Sequence, residues 1–450
     1  MASKRGRSPK LVENPFIKKR NLEWSLGVPD SIHRSDSSNS FDESDEQEAR
    51  PENDGPEASS VEAGKAKIED HLDYFTGILT KAVLSPAPLG VPRLSIEGYR
   101  KLYEANSGNP KGAHFIVHQH DHPIAGTHYD LRLQINETSS ASWAIMYGLP
   151  GDPNSQRLNR NATETRIHCL WNHLIETASA STGSLLIWDT GIYTVLPRRE
   201  RSKRGDSTSQ SESDHDPSPA LTEQEKLHRA FQGRKIRIRL HGTRLPRNYV
   251  LNLRLTKDED IAGRAKSTRT PTRRRRRGGP VQARGSTRGR GGGKGKAAEP
   301  ETSLDSNSDD DDDDVDKSEF VNAPSQEAGK DEDVSAMEKE IRELEDEEVR
   351  RTNAYPGATN SIGSVHQRRW YLSLDREACG FAKYRRDEKV VWEPDAETGG
   401  DTSGRLTLPF YVRGVEAERS VVTGRLGAEV LRDEGVVGYV GRKGWRPVLK

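Results

Sequence analysis

From His128 to Leu133 polar and apolar residues alternate without a break, with His128, Asp130 and Arg132 in one set of positions and Tyr129, Leu131 and Leu133 in the other. A period of two belongs to a β-strand, whose successive side chains leave opposite faces. Such a strand turns its aromatic and leucine side chains into a core. It then presents an imidazole, a carboxylate and a guanidinium together on the other face. His120 lies just upstream, across the turn-rich stretch Asp121 to Thr127, which contains Pro123 and Gly126. Two histidines and a carboxylate can hold a divalent cation and leave a position open for water or a substrate oxygen. Mixed nitrogen and oxygen ligation suits Mn²⁺ or Zn²⁺ better than Ca²⁺. Arg132 shares the face and can grip a phosphate oxygen with two donors.

Composition limits how much of the chain can join that core. Only 31% of the 450 residues are hydrophobic and another 31% are charged, so a modest folded core embedded in long disordered segments is expected. A formal net charge of zero hides strong local asymmetry. Residues 264–296 carry thirteen Lys or Arg and no acid, and Asp309 to Asp314 is an unbroken acidic run. Cys169 and Cys379 are the only cysteines, too few for a disulfide framework, which points to a reducing compartment. No apolar run is long enough to cross a bilayer and no hydrophobic leader opens the chain, so a soluble, intracellular protein without a membrane partner is expected. The clusters Lys4-Arg5-Gly6-Arg7 and Lys18-Lys19-Arg20 suit nuclear import.

The order of these signals divides the chain. Residues 1–67 read as disordered, and 68–256 as a β-rich domain interrupted by an exposed loop at 198–221. Residues 257–333 read as a basic-then-acidic linker, 334–352 as an acidic helix, and 353–450 as an ordered C-terminal extension. Helical spacing marks 71–83 and 95–104. Strands are expected at 113–120, 128–135, 142–147, 166–170, 184–188, 192–196, 235–240 and 248–255, and in the extension near 370–372, 390–392 and 408–412, with a helix over 421–431. Many short strands without βαβ alternation imply a mainly β fold, a small closed or partly closed barrel with short flanking helices. His118 and His122 read as structural histidines, and Trp143 and Trp188 as core packing. The Arg-Gly stretch, with Arg273, Arg274, Arg275, Arg276 and Arg277 at its centre, reads as a sequence-independent nucleic-acid contact.

Several motifs together resemble one family. Phe115 to Asp121 followed by His128 to Leu133, then Trp143-Ala144-Ile145, His168 and Ile187-Trp188-Asp189-Thr190-Gly191, are similar in order and type to the 3′-phosphoesterase domain of bacterial DNA ligase D. Gly233 to Ile236 and Leu240 to Leu251 resemble its closing strands, so the likeness spans roughly 110–256. It implies a compact β-barrel enzyme that removes a 3′-phosphate or terminal ribonucleoside, with Mn²⁺ as the usual metal. His120, His128 and Asp130 then match the metal ligands, and Arg132 and His168 match the residues that hold the scissile phosphate and act in catalysis. Seven residues separate His120 from His128 where the family usually has five, so the loop between them is expected to bulge. Asn172 stands near the place of a tyrosine that the family carries after its equivalent of His168. These departures, and residues 361–450, resemble fungal stand-alone relatives of the domain.

The implied function is a metal-dependent phosphoesterase acting on 3′ ends of DNA or RNA in repair. No Lys-x-Asp-Gly adenylation motif occurs in these residues, so a separate ligase or other repair factor is the expected partner. The alternative is a weak or inactive end-binding scaffold, which the changed surroundings of His168 would suit.

Overall fold

The computed structural model describes residues 58, 61, 66–197, 221–268, 347–386, 389–395 and 405–449. Two alternating stretches form its central hairpin, β1 (His114–His122) and β2 (Gly126–Gln134), paired antiparallel from Phe115–Leu133 to His122–Gly126. β3 (Ser139–Ile145), β4 (Arg160–Glu164), β5 (His168–Cys169), β6 (Thr177–Ser179), β7 (Gly183–Val195), β8 (Lys235–Gly242), β9 (Val250–Arg254) and β10 (Arg369–Leu374) follow. Around the sheet the order is β1-β2-β3-β4-β10-β9-β8-β7, and β7 returns to pair with β1. The fold is therefore mainly β, with a closed eight-stranded antiparallel barrel and short helices around it. β5 and β6 hang from β3 and β7 outside the ring, and β11 (Phe381–Arg386) and β12 (Lys389–Pro394) make a separate hairpin.

Alternation fills the barrel. Phe115, Val117, Tyr129, Leu131 and Leu133 point inward and join Trp143, Trp188 and Trp370 in the main core, all fully buried. Ile116, Leu185 and Ile187 point outward from β1 and β7 into a second apolar cluster. That cluster is roofed by helices α1 (His71–Ala82) and α2 (Ile96–Asn106) through Phe75, Leu79 and Tyr99. Asp70 caps α1 by accepting the Asp73 N–H, and Ser95 caps α2 by accepting that of Gly98. The remaining helices are α3 (Glu223–Gln232), α4 (Lys257–Thr268), α5 (Glu347–Thr352) and α6 (Gly427–Asp433). No helix among the described residues is long and apolar enough to cross a membrane.

Several local expectations need correction. The strands expected at 184–188 and 192–196 are one strand, β7, because Asp189 between them is a buried acceptor. Its carboxylate takes the N–H groups of Thr190, Thr243, Arg244 and Leu245, so a charge sits inside the ladder without loss of satisfaction. Residues 408–412 lie outside any ladder and bend at Leu408 and Pro409; Pro409 offers no donor, and the Phe410 N–H goes to the Gly151 carbonyl. The helix expected over 421–431 is confined to α6, while Val421 and Val422 are buried in the outer cluster. Lys257–Thr268 is helical where linker was expected, and it is held by Asp260 accepting from Arg368 at 2.7 Å. β4, β6 and β11 were not foreseen, because their short, polar sequences carry little alternation. The loop 198–221, the N-terminal region up to residue 57, the linker core and its Arg273 to Arg277 run lie essentially outside the described residues, as does most of the acidic helix.

The stave β10 comes from beyond the linker and fills the gap between β4 and β9. Fully buried Glu164, the last residue of β4, fastens it. Its carboxylate accepts from Arg368 Nε at 2.9 Å, Trp370 Nε1 at 2.8 Å, the Val365 N–H at 2.8 Å and Ser364 Oγ at 2.5 Å. Glu164→Ala would leave the buried donors of Trp370, Val365 and Ser364 without their acceptor and Arg368 with Asp260 alone, so urea unfolding should show a loss of about 3–5 kcal/mol. A loss under about 1 kcal/mol would mean that the cluster does not hold β10.

Buried histidines add a pH dependence. His114 and His173 share a hydrogen bond of 2.7 Å between their Nδ1 atoms, and burial pushes the His114 imidazole down to about 3. Burial also lowers His173 well below its ordinary value. The folded chain thus refuses protons that the unfolded chain accepts near pH 6.5. Stability should be flat above that pH and fall as pH drops from it toward 3. His114→Gln should flatten the slope of unfolding free energy against pH, and an unchanged slope would remove His114 from the account.

Candidate active site

Hairpin register gathers the polar face. His120 and His128 are cross-strand partners, as are His118 and Asp130. The bulge expected from the longer spacing does not form within this hairpin. Two extra residues add one rung, His122–Gly126, and leave both histidines on the same face. The turn narrows to residues 123–125, where His122 Nδ1 accepts the N–H groups of Ile124 and Ala125, each at 3.1 Å.

His120 Nδ1 lies 3.7 Å from Asp130 Oδ2, and His128 Nε2 lies 3.5 Å from Asp130 Oδ1. Ligands each about 2.1 Å from one ion stand roughly 3–3.5 Å apart, so these separations fit a shared metal. Among the described residues this is the one group of three or more such side chains whose ligand atoms all lie within 4.8 Å of one another. The opposite ring nitrogens are fixed by carbonyls, His120 Nε2 by Thr182 O and His128 Nδ1 by Gly126 O, both at 2.8 Å. A carbonyl only accepts, so in each neutral ring the proton sits on the outer nitrogen and the lone pair faces Asp130. Burial favours that neutral form of His128 by lowering its pKa. Burial opposes ionisation of Asp130, but His128 and His120 when they carry a proton, together with Arg132, outweigh it and hold the carboxylate below its usual range. His120 has 19% of its side chain accessible against 8% for Asp130, so the site opens past His120.

Arg132 and His168 lie beside this group. Arg132 pairs with Ser142 across β2–β3, and His168 pairs with Ser140 across β3–β5. Arg132 Nη2 reaches Asp130 only at 3.5 Å, and its buried Nε has no protein partner. The same holds for His168 Nδ1 and the hydroxyls of Ser140 and Ser142. Four unspent polar groups on adjoining strands suit a phosphate, which offers several acceptor oxygens. Burial, then Arg132, pushes the His168 pKa well down, so before substrate arrives it is a neutral hydrogen-bonding group. His118 is buried and reaches the Ile175 carbonyl at 3.1 Å through Nε2.

Four contributors were missed from sequence. The Thr182 carbonyl carries no side-chain signal. Ser140 and Ser142 are visible only once β3 is registered against Arg132 and His168. Tyr355 comes from the far end of the chain: its N–H donates to the Ile167 carbonyl at 3.0 Å, and its ring stands 4.9 Å from that of His168. Asn172, near the expected tyrosine position, is instead buried in a 3₁₀ turn, Leu170–Leu174.

Residues 118–253 match the family model of the DNA ligase D 3′-phosphoesterase domain. The motif resemblance and this match fall on the same stretch, which includes every residue of the metal-competent group together with Arg132 and His168. No curated protein matches the chain. The matched segment covers under a third of the chain and stops before β10. Part of this barrel is thus supplied from outside the matched segment.

Replacing Asp130 tests the geometry directly. Asp130→Ala should weaken Mn²⁺ binding by more than about a hundredfold in calorimetry, since it removes one of three ligands where even an outer-shell loss costs 10–100-fold. Equal affinity in the variant would show that these residues do not hold the ion.

Proposed function

We propose that this protein is a metal-dependent phosphoesterase that processes 3′ ends of DNA or RNA in repair, removing a 3′-phosphate or a 3′-terminal ribonucleoside. The reading rests above all on one observation: a His/His/Asp group with metal-ligand spacing borders an unspent buried donor on Arg132 and an unpartnered ring nitrogen on His168. His120, His128 and Asp130 would hold the ion, Mn²⁺ or a similar divalent cation such as Zn²⁺. Bound there, it supplies Lewis-acid polarisation of a phosphoryl oxygen. Arg132 takes up charge on the phosphate as the transition state forms, and its burial strengthens that attraction. With phosphate bound, His168 can take up a proton from water, donate to the same oxygens as an imidazolium, and pass that proton to the leaving oxygen.

The basic stretch around Arg273 to Arg277 would add affinity without sequence preference, and the clusters at 4–7 and 18–20 would direct the protein to the nucleus. A ligase or another repair factor would act on the cleaned end. Removing 269–296 should reduce the slope of log affinity against log salt for single- and double-stranded DNA. An unchanged slope would place the main phosphate contacts elsewhere.

The activity is tested with a 5′-labelled primer–template bearing a 3′-phosphate, with Mn²⁺ added or chelated and His128→Ala as control. Expected is conversion to a 3′-hydroxyl that needs metal and falls by at least about a thousandfold in the variant, as for loss of a principal electrostatic contribution. Tight binding of the same DNA without any turnover would overturn the enzyme reading in favour of an end-binding scaffold.

A further inference from the structure

The two carbonyls that orient the histidines belong to two neighbouring turns. Gly126 O lies at the end of the β1–β2 turn, and Thr182 O lies in the β6–β7 turn. The β6–β7 turn abuts the end of β1: a Cβ on Gly183 would stand 1.8 Å from Asp121 O, and Gly183 holds φ at +76°. That position accepts only glycine.

One segment of the C-terminal block reaches both turns. The Tyr439 hydroxyl donates to Asp121 O and lies 3.0 Å from where a Gly183 Cβ would be. Arg442 Nη1 donates to Ile124 O at 3.0 Å, and its aliphatic stem covers Gly126, 3.5–3.9 Å from an ideal Cβ. The segment is anchored at each end. α6 begins against Ser184, and Trp445 Nε1 donates to Met146 O at 2.7 Å. Between the anchors it buries little apolar surface, with Val437 90% and Val440 73% exposed. Core burial therefore does not explain its course, whereas its polar contacts go to the turns that fix the ligands.

We propose that residues 439–442 are a clasp in which Tyr439 and Arg442 act as positioning residues, setting the Gly126 and Thr182 carbonyls and through them the two ligand imidazoles. This rests on the metal reading above. Neither side chain touches the ion or substrate. Both brace residues beside the partners of the rings, Tyr439 at Asp121 and Gly183 and Arg442 at Ile124 and Gly126, and outer-shell support of metal-bound histidines typically governs affinity by 10–100-fold.

The test is calorimetric titration of the full chain with Mn²⁺, alongside thermal unfolding of the metal-free protein. Tyr439→Phe removes the hydroxyl alone, and Arg442→Ala removes the second contact. Arg442→Lys is the conservative variant, able to donate to Ile124 O again. Each of the first two should weaken Mn²⁺ several-fold, and the double variant about 10–100-fold. The unfolding midpoint should stay within about 2 °C, because little apolar surface is lost, and Arg442→Lys should recover most of the affinity. Wild-type affinity in the double variant would overturn the clasp, as would a loss of affinity that merely follows a lowered midpoint. If wild-type protein itself fails to bind Mn²⁺, the metal reading falls first and the clasp with it, an outcome distinct from either.

Discussion

The rung that pairs His120 with His128 fixes nearly everything at the site. A strand shifted by one residue turns every side chain to the opposite face. Slippage of β2 would therefore bury His128, Asp130 and Arg132 in the barrel and expel Tyr129, Leu131 and Leu133. That alternative is excluded by apolar burial worth roughly 1.5–3 kcal/mol for each leucine. The polar face is thus held in place by the core behind it. Both faces of the hairpin are well buried, since Ile116 on the outward face of β1 packs under α1 and α2.

Buried charges then tie the distant C-terminal block to this barrel. Glu164 holds the Arg368 segment, and Glu176 accepts from Arg425 Nη2 at 3.0 Å and Nε at 3.1 Å, and from Thr423 Oγ1. Glu418 accepts from Trp188 Nε1 at 2.8 Å and from Arg244 Nη1 at 2.6 Å. Such pairs add little net stability over apolar packing, but a chain that docked in another register would leave each charge buried and alone. They act as selective joints, and they lie where the late segment meets β4, the roof after His168, and β7.

Sequence alternation made the central hairpin legible, along with the inward aromatic residues and the side chains that share a face with Asp130. The same signal failed where a strand's faces did not differ. β7 was split because a fully satisfied aspartate sits within it. β4 was overlooked because its ends, Arg160 and Glu164, are buried polar residues. At the site, side chains could be named in advance, but the main-chain carbonyls that select the histidine tautomers could not, since any residue carries one.

The sequence by itself determined which side chains are available for metal and phosphate and that a period-two strand sets them on one side, because those are properties of residue type and strand geometry. Tertiary structure alone decided that the barrel closes with a strand from residues 369–374, that Tyr355 stands against His168, and that residues 439–442 reach the backbone beside His120 and His128. Each of these contacts joins residues roughly 190 to 320 positions apart. Local patterning carries no record of such distances, because they are set by ring closure and by where buried charges find their partners.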